Sequence, residues 1–401
     1  MQMNIEWKIP MNSFKVPRIR FNRFDSVWEE VRIADIVKIS AGGDVNKEKL
    51  KENGKYPVIA NALTNKGIVG FYDDYKVKAP AVTVTGRGDV GYAVARHENF
   101  TPIVRLLTLQ SENVDVDYLE NQINSMRILN ESTGVPQLTA PQLGNYKVYH
   151  PEIEEQSAIG SLFRTLDDLL ASYKDNLANY QSLKSTMLSK MFPKAGATVP
   201  EIRLDGFEGE WENIRLGDCA IIKGRLGWKS LKQEEYTEVG PSMIAGKHIK
   251  NGVIDWGEVD HIPQWRYDES PDIMLENGDI IFSKDGSLGN PALVSNLKGE
   301  ATINSTMMLV RLDKKVSSQF FYQVLTSSVF QKLIYLKVSG SSIPHLFQAD
   351  MQDFKFFAPD IEEQQAIGVY FSNLDSLIAA HQEKISQLET LKKKLLQDMF
   401  I

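Results

Sequence analysis

Apolar residues recur at alternating spacings of three and four along Phe163, Leu166, Leu170, Tyr173, Leu177, Tyr180, Met187 and Met191. The same rhythm returns along Phe371, Leu374, Ile378, His381, Ile385, Leu388, Leu395 and Met399. Sustained over about four heptads, a stripe this narrow predicts a coiled-coil seam rather than the broad face of a globular helix. Both seams lapse at a lysine that follows a leucine, Lys184 and Lys392. Both helices also open alike, "PEIEEQSAIG" from Pro151 and "PDIEEQQAIG" from Pro359. Proline suits a first helical position, where its missing N–H costs nothing, and glutamates in the first turn meet the positive helix end. About 40 residues at 1.5 Å each predict a rod of roughly 60 Å.

Elsewhere the period shortens. "AVTVTGRGDVGYAVA" from Ala81 reads as strand, glycine turn, strand, and "GDIIFSKDGSLGNPALV" from Gly278 is its counterpart. Glycine turns between apolar runs are hairpin signals. "PIVRLLTLQ" and "TMMLVRL" read as further strands, and "QFFYQVLTSSVFQKLIYL" has helical spacing. Residues 17–150 and 200–358 are therefore expected to be mixed α/β heads.

The two halves are copies of one plan. Pro151–Phe192 aligns with Pro359–Phe400 without a gap at an offset of 208, with 18 of 42 positions identical. Upstream, "PRIRFNRFDSVWEEVRIADI" from Pro17 matches "PEIRLDGFEGEWENIRLGDC" from Pro200 at an offset of 183. The second copy thus carries about 25 extra residues in its middle. A period this long is a domain duplication, not a solenoid. The expected layout is an α+β fold in six stretches. Residues 1–16 form an N-terminal segment, 17–150 the first head and 151–192 a long helix. Residues 193–199 form a linker, 200–358 the second head and 359–401 the second long helix. If the second head is compact, the second helix starts near where the first ends, and the seams meet antiparallel. That predicts a pseudo-twofold internal repeat, two heads separated by a two-helix antiparallel coiled coil. Ile159, Leu162 and Leu188 lie off the seams and are expected to be exposed, a surface for a partner.

Composition removes several function classes. The single cysteine, Cys219, excludes a disulfide framework and a cysteine-rich zinc site. The start lacks a signal-peptide pattern, and no run approaches a membrane span. Net charge is −7 and no stretch is strongly basic, so a grip on nucleic acid would rest on local patches or on partners. Gly86, Gly88 and Gly91 spell G-x-G-x-x-G, but a strand pattern comes next, where a dinucleotide site needs a helix. The loop from Gly240 fails the phosphate-loop spacing, the six histidines show no metal-ligand spacing, and no methyltransferase or nuclease motif is present. No catalytic residue and no metal site is expected.

Heads without chemistry suggest reading. Arginine forks onto guanine O6 and N7, and asparagine or glutamine onto adenine. The turns of the first head offer Asn61, Asn65, Lys66, Arg87, Arg96, His97, Ser132, Thr133 and Gln137. Those of the second offer Arg225, Lys229, Lys247, His248, Lys284, Asp285, Ser341, Ser342 and His345. Each alone is more readily a solvated loop residue; the set carries more weight than its members.

On the paired "P-x-I-x-E-Q-x-A-I" helix starts, the paired "F-x-x-x-W" segments (Phe24/Trp28, Phe207/Trp211) and the "G-x-P-x-L" type stretch before each helix, the chain resembles the specificity subunit of type I restriction–modification systems. The second copy of the last stretch departs from the pattern, with Ser342 where the first has Gly134. The resemblance implies two target recognition domains, each reading half of a split, asymmetric site on double-stranded DNA. It implies helices that act as a ruler and as the platform for two methyltransferase subunits, with restriction/translocase subunits completing the enzyme. It implies a non-catalytic, cytoplasmic subunit without cofactor. S-adenosylmethionine, ATP and Mg²⁺ would belong to the partners, which together form an adenine-specific methyltransferase and an ATP-dependent endonuclease. Two other readings stay open at this point. One is a protein-only scaffold with two binding heads, which predicts no DNA binding even with partners present. The other is a free-standing DNA-modifying enzyme, disfavoured by the missing motifs.

Overall fold

The computed structural model describes residues 7–8, 16–126, 128, 136–194, 196–226, 231–339 and 344–400. The chain divides into two compact units. Unit 1 takes Met1–Asp175 and Gln382–Ile401; unit 2 takes Asn176–His381.

Unit 1 is built on a four-stranded antiparallel sheet of β1 (Lys38–Ala41), β2 (Ala81–Val84), β3 (Ala93–Arg96) and β4 (Leu107–Gln110), in the order β1-β4-β2-β3. The hairpin expected from "AVTVTGRGDVGYAVA" is β2–β3, with Val84 opposite Ala93 beside the turn and Ala81 opposite Arg96 at its foot. Helix α1 (Val116–Ser125) packs on the sheet through Leu119 and Ile123, which join Val82, Val84, Leu107 and Leu109 in the core. The long helix α2 runs Ile153–Lys190.

Unit 2 repeats the plan. Strands β5 (Ala220–Gly224), β6 (Ile280–Ser283), β7 (Gly289–Leu293) and β8 (Met307–Leu312) take the order β5-β8-β6-β7. The helical stretch after β8 is broken into α3 (Ser318–Thr326) and α4 (Ser328–Ser339). Ser327 between them is extended, and its hydroxyl donates to the Val324 carbonyl at 2.7 Å, so a side chain closes the first helix. Phe320, Phe321, Phe330, Phe354 and Phe356 fill the core beneath. The last helix, α5, runs Ile361–Met399.

Each unit contains an antiparallel stretch of the two long helices. In unit 1, Phe163 meets Phe400 at 5.7 Å between ring centroids, Asp167 meets Lys392 at 2.5 Å and Lys174 meets Glu389 at 2.7 Å. In unit 2, Tyr180 meets His381 at 5.1 Å and Lys184 meets Asp375 at 2.5 Å. The two lapses in the seams are thereby explained. Each lysine is only partly exposed and is answered by the aspartate of the other copy. Phe163, Leu166, Leu170, Phe371, Leu374 and Leu388 are buried along the seams, and Tyr173, Leu177, Ile378 and Ile385 are partly so.

The repeated helix start has a physical reading, residue by residue. Glu155 is wholly buried and takes both prongs of Arg20, at 2.6 and 2.7 Å, plus the indole N–H of Trp28 at 3.0 Å. Glu363 likewise takes both prongs of Arg203, at 2.8 and 2.6 Å. Gln156 accepts from the Asp115 N–H at 3.1 Å and donates to the Pro151 carbonyl at 2.8 Å. Gln364 does the same with the Ser317 N–H and the Pro359 carbonyl, both at 2.9 Å. The glutamine thus stitches the head helix to the long helix where both begin. A Cβ on Gly160 would lie 2.8 Å from the Tyr118 nitrogen, and one on Gly368 would lie 2.7 Å from Gln319 Cβ, so glycine is what lets the two helices approach.

One expectation is overturned here. Ile159 is not an exposed docking residue: it is 1% exposed, packed with Trp28, Tyr118 and Phe163. Leu162 and Leu188 are partly buried. Off-seam position implies exposure only for a helix that faces its twin alone, and here the head covers its start.

Candidate nucleic-acid interface

In unit 1 three loops converge at the turn of the β2–β3 hairpin. Asn61 is the staple. Its carbonyl accepts from the Gly86 N–H at 2.7 Å, and its amide donates to the Val104 carbonyl at 2.5 Å. The loop carrying Asn65 and Lys66, both left-handed with φ of 49°, is held from below by Arg96. That guanidinium donates to the Lys66 carbonyl at 2.6 Å and to Thr83 Oγ1 at 2.9 Å. The segment before α2 closes the tip: Arg87 bridges Gln137, and the Leu138 N–H donates to the Gly86 carbonyl at 2.9 Å. Arg87, Asn65, Lys66 and Gln137 are left at least partly exposed on this platform.

Unit 2 builds its tip on the same backbone. Asp285 bridges His345, and the Leu346 N–H donates to the Lys284 carbonyl at 2.9 Å. Gly86 and Lys284, Arg87 and Asp285, Gln137 and His345 are therefore equivalent pairs. Beside the bridge lies an open depression of about 510 Å³ lined by Gly246, Lys247, Ser283, Asp285, Ser287 and Asn290 among others. Lys284 Nζ stands 3.5 Å from Asp285, Asp285 hydrogen-bonds His345 Nδ1, and the His345 ring lies 4.3 Å from that of Phe347.

Several expected readers turn out to be scaffold. Arg96 is 8% exposed, and burial lowers its pKa to about 10. Its donors staple the loop instead of reaching a base. Asn61 has both faces of its amide engaged. Arg225 is 3% exposed and donates to the Ile303 carbonyl at 3.0 Å, with burial lowering its pKa. His248 is buried, its Nδ1 accepting from the Ala245 N–H at 3.0 Å, and desolvation disfavours its charged form. His97 sits at the foot of the hairpin, away from the turn, 2.8 Å from Asp117, which also holds Arg164 of α2 at 3.2 Å. Lys247 is exposed but paired with Asp260 at 2.9 Å. Ser132, Thr133, Lys229, Ser341 and Ser342 lie outside the described residues.

One tip residue was missed. "PIVRLLTLQ" reads as a continuous strand, yet Val104 and Arg105 both have positive φ, 54° and 59°, and form an exposed turn. The Arg105 carbonyl lies 2.9 Å from where a Cβ on Gly86 would be, so this arginine belongs to the tip. No sequence signal marks the turn, since valine and arginine rarely accept left-handed backbone.

A duplicated head with a shared frame and divergent tip side chains defines a class of protein in which one module is used twice. The family described as "Type I restriction modification DNA specificity domain" matches residues 25–179 and 208–390. The chain belongs to this family: it is a specificity subunit, the part of a type I restriction–modification system that recognises DNA sequence. Among relatives, the MjaVIII specificity subunit of Methanocaldococcus jannaschii is 22% identical over 92% of this chain and 91% of its own length. The EcoAI specificity subunit of Escherichia coli is 27% identical over 49% of this chain and 33% of its own. The crystal structure of a type I S subunit from M. genitalium superposes with a TM-score of 0.72 at 18% identity, covering 96% of this chain and 99% of that one. It shows the same fold. No helix among the described residues is long and apolar enough to cross a membrane.

Proposed function

We propose that each tip reads one half of a bipartite, asymmetric site on double-stranded DNA, and that the long helices set the unspecified spacer. The observation carrying this reading is the pair of equivalent bridges, Arg87 with Gln137 and Asp285 with His345. The backbone is kept while the hydrogen-bonding side chains change, as a reader of different bases requires. The same helices dock two methyltransferase subunits, which with restriction/translocase subunits form an adenine-specific methyltransferase and ATP-dependent endonuclease in the cytoplasm. The partners carry S-adenosylmethionine, ATP and Mg²⁺. Repeat-matched leucines on the helices support docking: Leu169 and Leu377 are 42% and 41% exposed, Leu183 and Leu391 39% and 44%.

Methylation-site mapping tests both parts. Exchanging residues 28–135 for the matching stretch of a relative changes one half-site only; simultaneous change of both halves would refute independent reading. Inserting four residues after Tyr180 lengthens α2 by about 6 Å and rotates the chain beyond the insertion by about 40°. The spacer then grows by roughly one or two base pairs at 3.4 Å each. A two-residue insertion, turning by about 200°, abolishes recognition. An unchanged spacer in the four-residue variant would rule out the helices as the ruler.

A further inference from the structure

The tip of unit 2 holds a histidine whose proton is assigned by its neighbour. His345 Nδ1 hydrogen-bonds the Asp285 carboxylate. An ionised carboxylate only accepts, so Nδ1 carries the hydrogen, and in the neutral ring Nε2 is left as a bare acceptor. Nε2 has no partner among the described residues, and the side chain is 29% exposed. The Asp285–His345 backbone bridge fixes where the ring starts, and Phe347, itself 59% exposed, flanks it. The equivalent place in unit 1 has the opposite chemistry. Arg87 is exposed and donates only, beside Gln137, which does both.

We propose that His345 is a specificity-determining residue that reads the exocyclic amino group of a base, and that Asp285 is the positioning residue that makes it an acceptor. This rests on the reading of the tips as DNA-contacting and deepens it. In the major groove adenine N6 and cytosine N4 are donors, whereas guanine O6 and thymine O4 are acceptors. With the ring neutral, an imidazole tethered at Nδ1 selects an amino base, adenine or cytosine, over a keto base, guanine or thymine, at one position of one strand. Lys284 does not compete for the ring: its Nζ faces the other carboxylate oxygen of Asp285 at 3.5 Å. Arg87, lacking any acceptor, favours a keto base in the other half-site.

The test is selection from a duplex library randomised across the half-site, using the assembled complex purified from cells carrying each variant. The parent enriches adenine and cytosine at one position by roughly tenfold, the discrimination of a single well-placed hydrogen bond. His345→Ala removes that preference and leaves the other positions alone. His345→Gln, which offers a carbonyl acceptor, restores part of it. Asp285→Asn can donate to Nδ1 and free the other tautomer, so it lets guanine and thymine in. Combined with His345→Ala, the same change has no further effect. If His345→Ala weakens all sequences alike, the residue touches phosphate, and if no position responds it is off the DNA; either result overturns the proposal. A shift from Asp285→Asn that persists without the histidine would show that the aspartate reads the base itself. A parent complex that selects nothing sinks the reading of the tip, and this inference with it.

Discussion

Glu155 and Glu363 occupy equivalent positions and hold equivalent arginines, yet their surroundings differ. In unit 1 the carboxylate is closed in by Arg20, 4% exposed, and by the Trp28 indole N–H. In unit 2, Arg203 is 15% exposed and spreads its remaining donors over the Glu208 and Gly209 carbonyls, at 2.7 and 2.6 Å. The Trp211 indole N–H, equivalent to that of Trp28, is buried without a partner among the described residues. The same sequence motif thus makes a three-membered sealed clamp in one unit and a looser two-membered one in the other. The difference teaches that the motif specifies the joint between helix and opening segment, whereas each head sets how exposed the arginine is and whether the indole reaches the carboxylate.

The largest effect comes from breaking the joints. Glu155→Ala leaves a buried guanidinium unpaired and should cost unit 1 about 3–5 kcal/mol. Glu363→Ala should cost less, because Arg203 keeps two carbonyl acceptors and some water. Hydrogen exchange resolved unit by unit reads this, and equal losses in both units would contradict the comparison. Next, Arg96→Ala should destabilise unit 1 by about 2 kcal/mol through its lost charged hydrogen bonds. Arg87→Ala in the same hairpin should leave stability within about 0.5 kcal/mol and change base preference instead. Thermal melts together with duplex selection separate the two. Third, Trp28→Phe should cost more than Trp211→Phe by roughly 1–2 kcal/mol, since only the first loses a bond to a charged acceptor.

The smallest effect is one of pH. Burial, with smaller contributions from Asp167 and Asp117, raises the Glu120 pKa to about 7, against an opposing bond from the Ala95 N–H and the pull of Lys392. A carboxyl raised in the folded state favours folding fully below its unfolded pKa, and that contribution is lost as pH rises toward 7. Unit 1 should therefore weaken between about pH 4.5 and 7, by roughly 1–2 kcal/mol once partial exposure is allowed for. Glu120→Gln should flatten the profile and stabilise the unit at neutral pH. The matching place on α3 in unit 2 is Tyr322, held at about 12 by burial, so no such slope should appear there. Denaturant titrations at pH 5 and 8 decide it.

The helices, their antiparallel sense and the sheet-forming runs were legible because periodicity and duplication are carried by many residues at once. The tips were legible only in outline. Arg87 and Arg96 stand nine residues apart in one hairpin and look alike as letters. One projects from the turn and the other folds under it, because the fork of donors that fits a guanine edge fits loop carbonyls equally well. Asn61, Arg225 and His248 are likewise absorbed by the scaffold, because their polar atoms pair with backbone N–H and carbonyl groups. Arg105 was hidden because left-handed backbone at a valine–arginine pair leaves no compositional trace. Ile159 looked exposed because period describes one helix and is silent about what else lies against it.

The crossed pairing of Lys184 with Asp375 and Lys392 with Asp167 has a genetic consequence. Each copy of the helix block encodes both a lysine and an aspartate, and each uses only the other copy's partner. Recombination between the two coding blocks would delete one head and leave a shorter gene whose single helix still carries both halves of the code. Two such products could satisfy one another, lysine to aspartate in both directions, with no compensating mutation. Exchange of a whole head between related genes, with breakpoints inside the repeated blocks, would likewise leave the pairing rule unbroken. The lysine–aspartate pairing is thus indifferent to which head is attached, so a head can be exchanged without breaking it.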